Sequence, residues 1–93
     1  MHKIIGNFQR MKAREKDDDN FLQILGNRIA TLRKEKHMTQ VELSYRCDIE
    51  KPNMRRIEAG NTNPTILMLK KIAAGLEVSL TELLDFTRDS QEK

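Results

Sequence analysis

TQVELSYRCDIEKPNMRRIEAG, residues 39–60, holds two helix starts, two stops and a tight turn, and it decides the fold. Thr39 followed three residues later by Glu42 is a capping box: the hydroxyl accepts a free amide of the first turn, and the carboxylate reaches back to the Thr39 amide. A short helix therefore begins there. Leu43 and Cys47, four apart, share one face, Ser44 is small enough to let another helix approach, and Asp48 breaks the pattern before Ile49. From Glu50 a second helix starts. Glu50 sits near its positive end, Pro52 occupies a first turn whose amides are free in any case, and Met54 and Ile57 face inward. Gly60 and the polar run Asn61 to Asn63 close it.

The outward residues of that second helix are Lys51, Asn53, Arg55 and Arg56. Arginine and lysine fork onto guanine O6 and N7, asparagine pairs with adenine, and any of them can hold phosphate, so this face suits a DNA major groove. A cationic trio on its own is more often a solvated helix face. Its place directly after a helix and a tight turn is what turns the reading toward DNA.

On these residues the chain resembles the Cro and phage-repressor (Xre-type) helix-turn-helix family, over roughly Leu25 to Leu84. LGNRIATLR (Leu25 to Arg33), TQVELS (Thr39 to Ser44), RRIEAG (Arg55 to Gly60), NPTILMLKKIA (Asn63 to Ala73) and LEVSLTELL (Leu76 to Leu84) carry the resemblance. It implies an all-α fold of five helices, compact and lambda-repressor-like, and a sequence-specific regulator of transcription that binds double-stranded DNA as a homodimer on a pseudo-palindromic operator. Gln40 stands where the family places a phosphate-binding Gln, with Thr39, Asn61 and Asn63 expected beside the DNA backbone as well. The family's base-reading positions fall on Lys51, Pro52, Arg55 and Arg56, and the outward Asn53 joins them. Arg33 and Glu58 look like the family's ion pair between the first helix and the end of the recognition helix, with a mainly structural role.

Several positions depart from the pattern. Asp48 stands where the turn usually has Gly, which the backbone favours at positive φ. Ser44 replaces Ala, Glu50 replaces the Ser that caps the recognition helix, and Pro52 can offer only apolar contact, for instance to a thymine methyl. Glu77 replaces the Gly after the fourth helix, and Gly75 occupies a position where Ala is common.

Outside the motif, punctuation sets the organisation. Residues 1–16 are basic, with Ile4, Phe8 and Met11 at helical spacing, and Asp17-Asp18-Asp19-Asn20 supplies start chemistry for the next helix. This divides the chain into an arm at 1–19, helical or disordered, a helix-turn-helix domain at 20–86 and a polar tail at 87–93. The spacing predicts a first domain helix from about Asn20 to Lys36 with Phe21, Leu25, Ile29 and Leu32 along its core stripe. Asn63-Pro64-Thr65 begins a fourth helix that buries Ile66, Leu69, Ile72, Ala73 and Leu76, with Pro64 and Thr65 in its first turn and cap. Ser79 with Glu82 marks a fifth, presenting Leu80, Leu83 and Leu84. Leu67, Met68, Val78, Leu84 and Phe86 are too apolar for the free surface of a small domain, which suggests a subunit interface, although some can simply finish the core.

The 93 residues suit one domain, and a net charge of +3 is too mild to establish nucleic-acid binding by itself. A single cysteine excludes an internal disulfide framework, and no apolar run reaches the roughly 20 residues that span a bilayer. The start lacks the apolar core of a secretion signal, which points to a cytoplasmic protein. Cys47 lies on an inward face and is expected in the core. His2 and His37 stand apart from other ligands and nucleophiles, and Asp17 to Asp19 fit a cap and linker better than a metal site, so neither a metal, a cofactor nor catalysis is expected. The alternative function is antitoxin-like or accessory: the same DNA-binding core, with residues 1–16 or the tail docking a protein partner.

Overall fold

The computed structural model describes residues 2–86, with side chains from residue 16. Five helices follow one another: α1 (His2–Glu35), α2 (Gln40–Cys47), α3 (Lys51–Ala59), α4 (Ile66–Leu76) and α5 (Leu80–Leu83). Among the described residues there is no strand. The fold is the expected all-α, five-helix arrangement.

Three helices start on a side-chain cap. Thr39 Oγ1 accepts the Glu42 amide at 3.0 Å, Thr65 Oγ1 the Met68 amide at 3.1 Å, and Ser79 Oγ the Glu82 amide at 2.9 Å. At Thr39 only this half of the capping box forms, because the Glu42 carboxylate turns instead to Arg46 one turn later, at 3.0 Å. Glu50 caps α3 through its backbone alone. Pro64 lies buried just before the Thr65 cap rather than in the first turn of α4.

Four of the five stops share one device. His37, Asp48, Gly60 and Glu77 all take left-handed φ, at 60°, 56°, 77° and 62°. In each case the next amide folds back five residues: Met38 to Arg33 O, Ile49 to Ser44 O, Asn61 to Arg56 O and Val78 to Ala73 O, all at 2.9–3.0 Å. This is a Schellman stop, which satisfies carbonyls that would otherwise be orphaned. Met38 and Ile49 then turn into the core, so the burial of the following apolar residue helps hold His37 and Asp48 in a conformation that non-glycine residues resist. Asp48 therefore makes the expected turn.

The core is Leu25, Ile29, Leu32, Met38, Leu43, Cys47, Ile49, Met54, Ile57, Leu69, Ile72, Ala73, Leu76, Leu83 and Phe86. α1 packs on α3, α2 on both α3 and α4, and α4 on α5. Arg28 ties α1 to the end of the bundle by donating to Glu82 O at 2.8 Å.

Four expectations need correction. Asp17 to Asn20 do not start a helix: they lie exposed inside α1, which runs unbroken from His2, since residues 7–25 hold no Gly or Pro to stop it. Phe21 is 45% exposed rather than core, leaning at 49° against the Phe86 ring with centroids 5.4 Å apart. Phe86 is in turn buried within its own chain, so it finishes the core and is not free for a subunit interface. Ile66 is 60% exposed, because it opens α4 at the margin of the stripe set by Leu69, Ile72, Ala73 and Leu76, where no helix among the described residues covers it. The side chains of His2, Ile4, Phe8 and Met11 and the tail at 87–93 lie outside the described residues.

Candidate nucleic-acid interface

The helix α3 places Met54, Ile57 and Glu58 inward and leaves Lys51, Pro52, Arg55 and Arg56 exposed. At 100° per residue these four occupy the arc opposite the buried one. Among the described residues no carboxylate pairs with Lys51, Arg55 or Arg56. Their charges remain available to an anion. Asn53 lies on the flank, half-buried, with its Nδ2 4.0 Å from Met68 Sδ. It faces α4 rather than the centre of the cationic face.

What fixes α3 against the rest is a buried ion pair. Arg33 Nε donates to Glu58 Oε2 at 2.8 Å, Nη2 to Oε1 at 3.0 Å, and Nη1 to Met38 O at 2.8 Å. The fork thus joins α1, the turn after it and the last turn of α3. Two bonds on one carboxylate fix direction as well as distance. Gly26 makes the crossing possible: a Cβ there would meet Ile57 O at 2.6 Å, and Glu58 O closer still. Arg33 and Glu58 are thus in direct contact between α1 and α3.

Of the residues expected at phosphate, Thr39 and Gln40 sit together at the start of α2, beside α3. The Gln40 amide nitrogen donates to Glu58 Oε1 at 2.9 Å, a bond between residues 18 apart that no local pattern signals. Asn61 and Asn63 are exposed at the opposite end of α3, lining a hollow of about 400 Å³ with Asp19, Gln23 and Gly60. They are not gathered with Thr39 and Gln40.

Two further features bear on the surface. Tyr45, on the outer face of α2, is 88% exposed and was not singled out by its sequence context. Leu67 is 67% exposed next to Ile66, while Met68, Val78 and Leu84 are half-buried. Cys47 is in the core, where burial pushes its thiol up to about 11 against the lowering effect of Arg46. Among the described residues no His, Cys, Asp and Glu gather in a group able to hold a metal ion, and no helix is long and apolar enough to cross a membrane.

A capped helix, a left-handed turn and a second helix with an unpaired cationic face, clamped from behind by a buried ion pair, make up a helix-turn-helix module. The chain belongs to the helix-turn-helix family HTH_3, whose pattern matches residues 29–83. It is 34% identical over 68 residues to the uncharacterized HTH-type transcriptional regulator y4dJ of Sinorhizobium fredii, covering 73% of this chain and 88% of that one. It is 38% identical over 71 residues to the HTH-type transcriptional regulator SlrR of Bacillus subtilis, covering 75% of this chain but only 47% of SlrR. Among solved structures, the restriction-modification controller protein C.Esp1396I, a tetramer in complex with its natural 35 base-pair operator, matches at a TM-score of 0.70 and 32% identity, over 77% of this chain and 95% of that one.

Proposed function

We propose that this protein is a sequence-specific regulator of transcription that binds double-stranded DNA as a homodimer, with α3 in the major groove. The observation that carries the proposal is the exposed, unpaired face of Lys51, Pro52, Arg55 and Arg56, held at a fixed angle by Arg33 and Glu58. Arg55 and Arg56 reach base edges, Lys51 reaches a base or a phosphate, and Pro52 meets a thymine methyl. Gln40 and Thr39 at the start of α2 hold one phosphate run, where free helix amides add to the attraction for an anion. Asn61 and Asn63, beyond the other end of α3, hold another.

The operator-bound assembly of C.Esp1396I supports association on DNA, and the apolar surface of Ile66 and Leu67, edged by the half-buried Met68, Val78 and Leu84, supports a subunit interface at α4 and α5. A two-fold dimer places its recognition helices about one DNA turn, ~34 Å, apart, so the operator is pseudo-palindromic. The setting is the cytoplasm. A second reading, antitoxin-like or accessory, gives residues 1–16 a protein partner; it is favoured by α1, which begins at His2, far ahead of its first core residue, Leu25.

Selection of binding sequences from a random duplex library at about physiological salt tests the proposal. Enrichment of a pseudo-palindrome, bound by two chains as sized by light scattering, is expected. Sequence-indifferent binding would overturn the regulator reading and favour the accessory one.

A further inference from the structure

Glu58 is buried, and its carboxylate accepts from three donors. Oε2 takes Arg33 Nε at 2.8 Å, while Oε1 takes both Arg33 Nη2 at 3.0 Å and Gln40 Nε2 at 2.9 Å. Gln40 is the first residue of α2 and half-buried, at the helix end whose amides lack intrahelical partners. A side-chain amide nitrogen carries two hydrogens. One goes to Glu58, and among the described residues no second acceptor meets the other.

That bond has three physical consequences. It holds a long, rotamer-rich side chain in one conformation before any ligand arrives, so the ordering cost falls on folding instead of on binding. An N–H beside one already bound to a carboxylate also belongs to a polarised chain of hydrogen bonds, which strengthens it as a donor. Finally, Arg33 neutralises Glu58, so the anchor does not present a bare negative charge to an incoming anion.

Resting on the proposal that the start of α2 meets a DNA phosphate, we infer that Glu58 is a positioning residue for DNA binding, which holds one Gln40 amide hydrogen so that the other is directed at that phosphate. The ion pair thus has two tasks. It clamps α3 to α1, and it aims a neutral donor on α2. Phosphate contact by Gln40 and the orientation of the recognition helix then depend on the same carboxylate.

The test is a double-variant cycle with Gln40→Ala, Glu58→Gln and the pair together, titrated onto the selected duplex and onto a random duplex of equal length. Glu58→Gln keeps one acceptor oxygen: placed toward Gln40 it sets an NH2 against Arg33 Nε and loses the charge that holds the fork, and placed toward Arg33 Nε it turns that NH2 on Gln40, so the three bonds cannot all persist. The temperature is set where circular dichroism shows all four proteins folded. Gln40→Ala is expected to weaken binding about tenfold on both duplexes, the loss of one hydrogen bond to a charged group. Glu58→Gln is expected to weaken it about threefold to tenfold, and the double variant to match Gln40→Ala within about twofold. A role confined to stability would lower the melting temperature but leave the binding losses to multiply. Multiplied losses, or a Glu58→Gln protein that binds like wild type, overturn this inference alone; wild-type protein that binds neither duplex overturns the DNA reading and this inference with it.

Nitrogen-15 spectra of the wild-type Gln40 side chain supply a check that needs no variant. One Nε2 hydrogen is expected to be protected from exchange in the free protein and the other to shift when the selected duplex is added. Two hydrogens that exchange freely before DNA is added would overturn the inference.

Discussion

Gly26→Ala sets two physical effects against each other, and the structure decides between them. α1 crosses the end of α3 at this residue, where an added Cβ would lie 2.6 Å from Ile57 O and 2.7 Å from the Glu58 carbonyl carbon. Ordinary carbon–oxygen contacts are no shorter than about 3.3 Å, so the helices must part by roughly 0.7 Å or more. Helix propensity alone favours Ala in a helix interior by about 1 kcal/mol. Against it stands overpacking of about 1–3 kcal/mol, at the upper end here because the opposing atoms are backbone and cannot rotate away. The parting also stretches Arg33 to Glu58, whose bonds are of the charged kind that contribute about 1.5–3 kcal/mol each. The net is a destabilisation of about 2 kcal/mol, or a fall in Tm of about 8–16 °C for a domain of this size. Thermal unfolding followed by far-ultraviolet circular dichroism measures it directly. A variant as stable as wild type, or more so, would show that α1 and α3 do not approach as closely as the ion pair requires.

Other residues give equally direct expectations. Arg55→Ala should cost about 1–3 kcal/mol on the selected operator and relax preference at one base pair, measured by fluorescence anisotropy; an equal loss on random DNA would remove Arg55 from base reading. Glu77→Gly relieves a left-handed residue at φ 62° and gives up only an exposed contact with Arg46 at 4.0 Å, so after the greater freedom of Gly in the unfolded chain it should stabilise by about 0.5 kcal/mol, roughly 2–4 °C in Tm. A lower Tm would mean that the side chain, not the backbone, matters there. The buried Cys47 thiol, raised from 9.0 to about 11, makes the folded state disfavour the thiolate. Stability should therefore fall as pH rises from about 9 toward 11, and the difference from Cys47→Ala should shrink over that window in urea titrations; a constant difference would show that the thiol titrates alike in both states.

Local chemistry made much of the fold legible. Thr39, Thr65 and Ser79 each act within three residues, Gly60 within four, and the inward spacing of Leu43, Met54 and Ile57 lies within single helices. Coverage by distant elements was not legible. Phe21 and Ile66 have helical core spacing, but whether a partner lies over them depends on how α5 and α1 end, and Phe86 reaches the core only because the chain turns back after α5. The left-handed stop at His37 was hidden for a related reason: its signal was the next apolar residue, Met38. At the interface, the cationic face of α3 followed from periodicity, whereas the flank position of Asn53 and the bond from Gln40 to Glu58 arise where α2, α3 and α4 meet. Pattern within one helix cannot specify such contacts.

Methylation interference on the selected operator tests most directly the claim that α3 reads bases in the major groove, because guanine N7 lies there. Interference is expected at guanines in two half-sites about one helical turn apart, with the signal at one position per half-site lost in Arg55→Ala. Interference confined to adenine N3 in the minor groove, or none in either half-site, would contradict it.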